Sequence, residues 1–279
     1  MNDFISTNLK KLKKQKIQNP EIDLRILLNY SKYSKYKKKD IILSNFVLDQ
    51  INIEKFNILL NRRLLKEPIS KIINKKNFWK DDFFVNQFVL DPRPETEAII
   101  EESLNIVKNK NSNLRILDIG TGSGAIAISL AREFTQAEII AIDISDEAIK
   151  VANKNINDKK LHNQIKLKKG SIDSVKGKFD LIVSNPPYLS KNEIIDIAIE
   201  IKNFEPKIAY YGGVDGLFFY KEFAKKIPNK MNKNAYMILE IGENQFNSCN
   251  QIFSFSGLNL IKKTQDLQKK DRIIVLSKL

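Results

Sequence analysis

Cysteine and histidine are nearly absent: the 279-residue chain has Cys249 and His162 and no others. A single cysteine excludes an internal disulfide, and together the two residues are too few for a His/Cys metal cluster. Zinc chemistry and a Ser-His-Asp relay are disfavoured for the same reason. No run of about 18 uncharged apolar residues exists to span a membrane. The N-terminus carries lysines but no apolar core followed by small residues, so no secretory signal is expected. Of the chain, 42% is apolar, enough for a substantial core, and its length suggests two domains.

Acidic charge is also in short supply, and unevenly so. The net charge is +14; residues 1–80 hold 19 Lys/Arg against 7 Asp/Glu, or +12, leaving +2 for residues 81–279. Such a segment steers acidic partners, protein or nucleic acid, or reflects a chain rich in lysine throughout.

The most constrained stretch is Ser184-Asn185-Pro186-Pro187-Tyr188, which follows the apolar run 179–183. Consecutive prolines fix φ, offer no N–H, and push each preceding residue toward extended geometry. The Asn185 side-chain oxygen and the Pro186 carbonyl are then available as acceptors for a planar NH2 group, with Tyr188 over its flat face. An amide or aromatic amine is a poor nucleophile until its lone pair is aimed, and two such acceptors aim it. The alternative is a strand-end turn in which Asn and Pro do conformational work only.

Residues 1–75 read as helical. Ile22, Ile26 and Tyr30 mark one helix, Ile53, Phe56, Leu60 and Leu64 another that ends by Pro68. Aromatic and β-branched residues around Lys80-Asp81-Asp82 predict a hairpin linker over 76–90. Residues 91–97, Asp-Pro-Arg-Pro-Glu-Thr-Glu, open a helix, with Glu95 and Glu97 favourable in its first turn. Strands and helices then alternate: strands at 114–119, 139–142, 165–167, 179–184 and 235–241 and near Leu258 and Ile273, helices from Ala125, from Asp146 and near 217–227. That order predicts a mainly parallel sheet with helices on both faces and ligands at the carboxyl ends of its strands.

Gly120-Thr121-Gly122-Ser123-Gly124 stands at one such end and opens a helix, so its backbone can approach a ligand closely. Asp143 ends the next strand, 19 residues after Gly124, where a carboxylate accepts from ribose hydroxyls. A nucleoside-containing cofactor follows, and the glycine loop alone does not separate a nicotinamide dinucleotide from S-adenosylmethionine. The Asn185 turn favours the latter, since methyl transfer to nitrogen needs an aimed lone pair and hydride transfer does not.

With these motifs in order, the chain resembles the release factor glutamine N5-methyltransferases over residues 67–279. Residues 91–97, 118–127 and 184–188 match the family's signature, cofactor loop and active-site turn; Glu205-Pro206, 212–217 and Leu239-Glu240-Ile241-Gly242 fit as well. The resemblance implies a small helical docking domain (1–75), a hairpin linker (76–90) and a seven-stranded Rossmann-like methyltransferase domain (91–279). It implies methylation of the glutamine in the Gly-Gly-Gln tip of class 1 release factors by S-adenosylmethionine, in a cytoplasmic monomer needing neither membrane nor nucleic acid. Gly120, Thr121, Gly122, Ser123 and Gly124 would surround the methionine part of the cofactor, Asp143 its ribose, and Ser171 and Ile172 its adenine; Asn185 would also border the cofactor. Asn185, Pro186, Pro187 and Tyr188 would hold the glutamine amide, with Asn185, Pro186 and Tyr188 as the catalytic set. Asp91 replaces an aliphatic residue of the family, Ser171-Ile172 an acidic-aromatic pair, and 69–77 lacks the usual glycine. Ribosomal-protein glutamine methyltransferases differ in the Pro-Arg stretch, where Pro94 and Glu95 stand here. Adenine N6-methyltransferases share the clamp, and a basic binding module on a vestigial methyltransferase fold is the non-enzymatic alternative.

Overall fold

The computed structural model describes residues 3–36 and 47–278, so the helical reading of 1–75 falls outside it at 37–46. Two compact units emerge, one made of residues up to Asn74 together with Ala198–Phe204, the other of Lys75–Ile197 and Glu205–Leu279.

The helical unit contains α1 (Asp3–Lys14), α2 (Pro20–Ser31), α3 (Ile53–Leu64) and α4 (Ile69–Ile73). Its core is Ile5, Leu12, Leu24, Leu28, Phe56 and Leu60 with their neighbours. On α2 the buried face is Leu24, Leu27 and Leu28, whereas Ile22 and Tyr30 are exposed. The helix is thus rotated from the Ile22–Ile26–Tyr30 expectation. Both stripes are apolar at helical spacing, and the inner one carries Asp23, which reads as a surface residue until Arg63 Nε is found 2.7 Å from its Oδ2. Arg63 also lies 3.9 Å from Glu200, on a short helix, Ile199–Phe204, that belongs to this unit. Asn74 caps α4 in the left-handed region, φ 52°, a conformation asparagine tolerates where glycine is usual.

The second unit begins with a hairpin of β1 (Lys76–Phe78) and β2 (Asp81–Phe83), shorter than the predicted 76–90. Beyond Phe83 the chain leaves the ladder: Phe84 exchanges bonds with the Asn155 side chain instead (N to Oδ1, 2.7 Å; Nδ2 to O, 2.9 Å). There follow α5 (Glu97–Ile106), β3 (Arg115–Ile119), α6 (Ala125–Glu133), β4 (Glu138–Asp143), α7 (Asp146–Asp158), β5 (Ile165–Lys169), β6 (Phe179–Ser184), α8 (Phe218–Lys226), β7 (Met231–Glu240), α9 (Phe246–Phe255), β8 (Asn259–Gln265) and β9 (Asp271–Ser277). The seven strands β3 to β9 form one sheet in the order β5-β4-β3-β6-β7-β9-β8; the first five run parallel, and β9 runs antiparallel to both of its neighbours, β7 and β8.

Successive side chains enter opposite cores. Leu181, Val183, Ile238, Ile273 and Val275 join α5 and α6 on one face; Ile182, Met237, Leu239, Ile274 and Leu276 join α8 and α9 on the other. Strands buried on both faces need apolar residues at every position, so they read as uninterrupted runs.

Candidate active site

One row of the sheet register builds the site. Ile119 pairs with Ile142 and with Ser184, and Ser184 with Leu239. The next residue on each of these four strands is Gly120, Asp143, Asn185 and Glu240. These chain positions sit at the carboxyl edge of a parallel sheet, where ligands bind.

On β3 the chain turns sharply. Gly120 and Thr121 both donate their N–H to the Ile142 carbonyl at 2.9 Å, and residues 120, 122 and 124 all have positive φ, 74°, 55° and 81°. At 124 it is the left-handed backbone that calls for glycine, since a β-carbon there would meet Ala152 and Ile128 only at ordinary contact distance, 3.4 Å. Thr121 Oγ1 donates to Asp118 Oδ2 at 2.6 Å, and burial pushes that carboxyl up to about 7. Asp143 accepts from Gly122 N at 2.9 Å on Oδ2 and from Ser145 N at 2.9 Å on Oδ1. A carboxylate has about four lone-pair positions, so acceptor capacity remains for a ligand. Burial raises its pKa, against backbone hydrogen bonds from Ser145, Gly122 and Ile144.

The glycine loop, Asp143, Ser171, Ile172, Asn185, Pro186 and Pro187 all face a cavity of about 420 Å³, except that Gly124 is turned into the protein. Ile172 is buried and Ser171 exposed at its rim. Tyr188 does not join them: its ring packs against the α8–α9 core, and its hydroxyl donates to Glu240 Oε1 at 3.2 Å. Burial, followed by the charge of Glu240, raises the Tyr188 pKa.

Asn185 Nδ2 donates to Thr96 Oγ1 at 2.9 Å, and Thr96 Oγ1 donates to Glu240 Oε2 at 2.6 Å. Neither the Asn185 Oδ1 nor the Pro186 carbonyl has a hydrogen-bond donor among the described residues. The turn is held from behind by Gln245, whose Nε2 donates to the Tyr188 carbonyl at 2.9 Å. The strand of chain at 212 packs so closely that a β-carbon on Gly212 would lie 2.6 Å from the Pro187 oxygen. Residues 91–93 are pinned by Glu205, which accepts from Asp91 N at 3.3 Å and from Arg93 Nη2 at 2.6 Å.

Thr96 and Glu240 are the polar residues that sequence reasoning passed over. Both stand inside motifs, but in residues 91–97 the helix-start reading concerns Glu95 and Glu97, and Glu240 enters only as part of Leu239-Glu240-Ile241-Gly242. Phe218, Phe223 and Ile144, on the cavity wall, carried no signal beyond hydrophobicity.

Residues 110–265 match the family model of a methyltransferase domain. A release factor glutamine methyltransferase of Buchnera aphidicola is 38% identical over 267 residues, covering 95% of this chain and 94% of that protein. The chain belongs to the release factor glutamine methyltransferase family. A bifunctional methyltransferase of Rickettsia typhi is 39% identical over 286 residues, 96% of this chain; the chain spans 55% of that relative's length. Among solved structures, a methyltransferase of Pyrococcus furiosus aligns with a TM-score of 0.51 at 18% identity, covering 82% of this chain and 99% of that one. That likeness concerns the fold, and the family assignment accounts for the order of motifs along it.

Proposed function

We propose that this chain transfers the methyl group of S-adenosylmethionine to the side-chain amide nitrogen (N5) of the glutamine in the Gly-Gly-Gln motif of class 1 release factors. The observation that carries the reading is the pair of unengaged acceptors at the cavity wall, Asn185 Oδ1 and the Pro186 carbonyl, one strand from the glycine loop. Two acceptors on consecutive residues can take both hydrogens of an NH2 group.

The cofactor fits the residues present. About 420 Å³ is a ligand-sized volume, Gly120 has open space where a side chain would stand, and Asp143 keeps lone pairs for a ribose. Gly120, Thr121, Gly122 and Ser123 would form the methionine end, with Gly124 behind them starting α6, Asp143 the ribose contact, and Ile172, with Ser171 and Ile144, the adenine wall. Bound there, S-adenosylmethionine supplies an electrophilic methyl group. The chain's part is to hold the amide: Asn185 and Pro186 take its two hydrogens and orient its lone pair, and Pro187 stiffens the turn. Tyr188 supports the turn from the core side through Glu240. No histidine or cysteine lines the cavity among the described residues, and the amide proton is lost after methylation, when it is acidic, so no strong base is required.

The helical unit is the docking surface for the folded release factor. On this reading the protein works as a cytoplasmic monomer with no obligatory nucleic acid or membrane. Among the described residues, no helix is long and apolar enough to cross a membrane. The test is to incubate the enzyme and cofactor with an unmethylated release factor and map the product by tandem mass spectrometry. One methyl on that glutamine is expected. Asn185→Ala should lower the rate roughly 10²–10³-fold, as for other deleted preorganised contacts, with cofactor affinity little changed. Methyl transfer to duplex DNA, RNA or a ribosomal protein with the release factor untouched would overturn the reading.

A further inference from the structure

The amide of Asn185 is useful as an acceptor only in one of its two orientations. Turned by 180°, it would present its own NH2 to the substrate NH2, a donor facing a donor. Which way it points is decided by proton counting at Thr96. A threonine hydroxyl has one hydrogen. Its oxygen lies 2.6 Å from Glu240 Oε2, the separation of an O–H donated to a carboxylate. With Glu240 ionised the hydrogen is committed there, and Thr96 Oγ1 can meet Asn185, 2.9 Å away, only as an acceptor. It therefore requires the Nδ2 side of the amide, and Oδ1 is left toward the cavity.

Glu240 is itself fixed. Tyr188 OH donates to its second oxygen at 3.2 Å, and Tyr220 OH donates to its backbone carbonyl at 3.0 Å. Thr96 and Glu240 are 4% and 1% exposed, so these bonds are largely shielded from water and the network is strengthened by its surroundings. Its members come from the turn before α5, the end of β6 and the end of β7, three places with no local reason to hydrogen-bond to one another.

We infer that Thr96 and Glu240 are positioning residues that set the orientation of the Asn185 amide and thereby make the clamp an acceptor site for an NH2 group. This rests on the reading of the site as an amide methyltransferase. It predicts that the Thr96 hydroxyl matters to the transfer step and not to cofactor binding.

The experiment compares the full-length wild type with Thr96→Val, Thr96→Ser and Glu240→Gln. Valine keeps the volume and removes the hydroxyl; serine restores it. Glutamine offers Thr96 either an acceptor or a donor, and so erases the preference. Three quantities are read: single-turnover methylation of a release factor at saturating S-adenosylmethionine, cofactor affinity by titration calorimetry, and hydrogen exchange of the Asn185 side-chain NH2 by 15N NMR, assigned with Asn185→Asp. The expected result is a transfer rate lowered about tenfold or more in Thr96→Val and by a smaller factor in Glu240→Gln, near-wild-type in Thr96→Ser, with cofactor affinity close to unchanged in all three. Exchange of the Asn185 amide in the cofactor-free protein should accelerate in Thr96→Val and recover in Thr96→Ser. Should Thr96→Val fail to fold, Glu240→Gln against Thr96→Ser carries the comparison. Wild-type rates and exchange in Thr96→Val, or a Thr96→Ser variant as slow as valine, would overturn the inference while leaving the proposed activity standing. A wild type that methylates no glutamine amide would overturn both.

Discussion

Glu240 lies at the end of β7 with 1% of its surface exposed, and burial raises its carboxyl to about 7 from an ordinary 4.5. Hydrogen bonds from Thr96 and Tyr188 and the nearby charge of Arg272 oppose the shift, while Glu95 adds to it. The folded chain thus binds a proton here more tightly than the unfolded chain does. The resulting stability is fully present below about pH 4.5 and is lost as pH rises through about 7. The shift corresponds to about 3 kcal/mol. Glu240→Gln should remove that slope, so the difference in urea-unfolding free energy between variant and wild type should move in the variant's favour by about that amount from pH 4.5 to 8. Asp118, also raised to about 7, contributes the same sign to both proteins and cancels. Parallel pH curves would refute the assignment. The carboxylate form is the one that commits the Thr96 hydrogen, so the arrangement that orients Asn185 carries a stability cost at neutral pH. Nothing in the pentapeptide 184–188 discloses this, because its partners lie at Thr96 and Glu240, 89 and 52 residues away along the chain from Asn185 and Tyr188 respectively.

Elements bring those distant residues together, and they do so through register. The parallel strands were legible because both their faces are buried and every position is apolar, and the glycine loop and Asn185 turn were legible as breaks at their ends. Where an element is half-polar the signal weakens. Helix α9 buries Cys249 and Phe253 amid Asn, Ser and Gln, residues of modest helix propensity, and it was not foreseen; it nonetheless begins beside Gln245, which holds the Tyr188 carbonyl. On α2 two apolar stripes competed, and periodicity alone could not choose between them. The Gly212 segment shows how an element without chemistry controls the clamp. A β-carbon at 212 would stand 2.6 Å from Pro187 O and 2.8 Å from both Gly216 O and Tyr188 Cα. All three are backbone atoms, so the turn itself must move. Gly212→Ala is expected to cost about 1–3 kcal/mol of stability, as overpacking does, and to slow methyl transfer by a larger factor than it weakens cofactor binding, because the glycine loop is not displaced. Calorimetry and single-turnover rates on the same preparation measure both. A variant with unchanged transfer would mean the turn tolerates the displacement.

At the scale of the whole molecule, the chemistry and the charge occupy different parts of the chain. The cavity and the network behind it lie wholly within Lys75–Ile197 and Glu205–Leu279, whereas residues 1–74, with 16 Lys/Arg against 7 Asp/Glu, carry +9 of the +14 net charge. The other unit has its own core and draws in Ala198–Phe204, whose Glu200 lies beside Arg63. If the basic helical unit docks the release factor and contributes no chemistry, residues 75–279 expressed alone should bind S-adenosylmethionine with near-wild-type affinity. Their kcat/KM on a folded release factor should fall about tenfold or more, the equivalent of losing ~1.4 kcal/mol of docking contacts. A short Gly-Gly-Gln peptide has nothing for that unit to hold, so both proteins should use it equally poorly. Salt separates steering from contact: raising ionic strength screens exposed charges beyond about a Debye length, so the KM of the intact chain for the release factor should climb with salt while that of residues 75–279 stays nearly flat. Circular dichroism at each salt concentration verifies that the shortened chain remains folded. Full activity of residues 75–279 on the folded release factor would show that the helical unit does not dock it, and the basic charge would then be a property of composition alone.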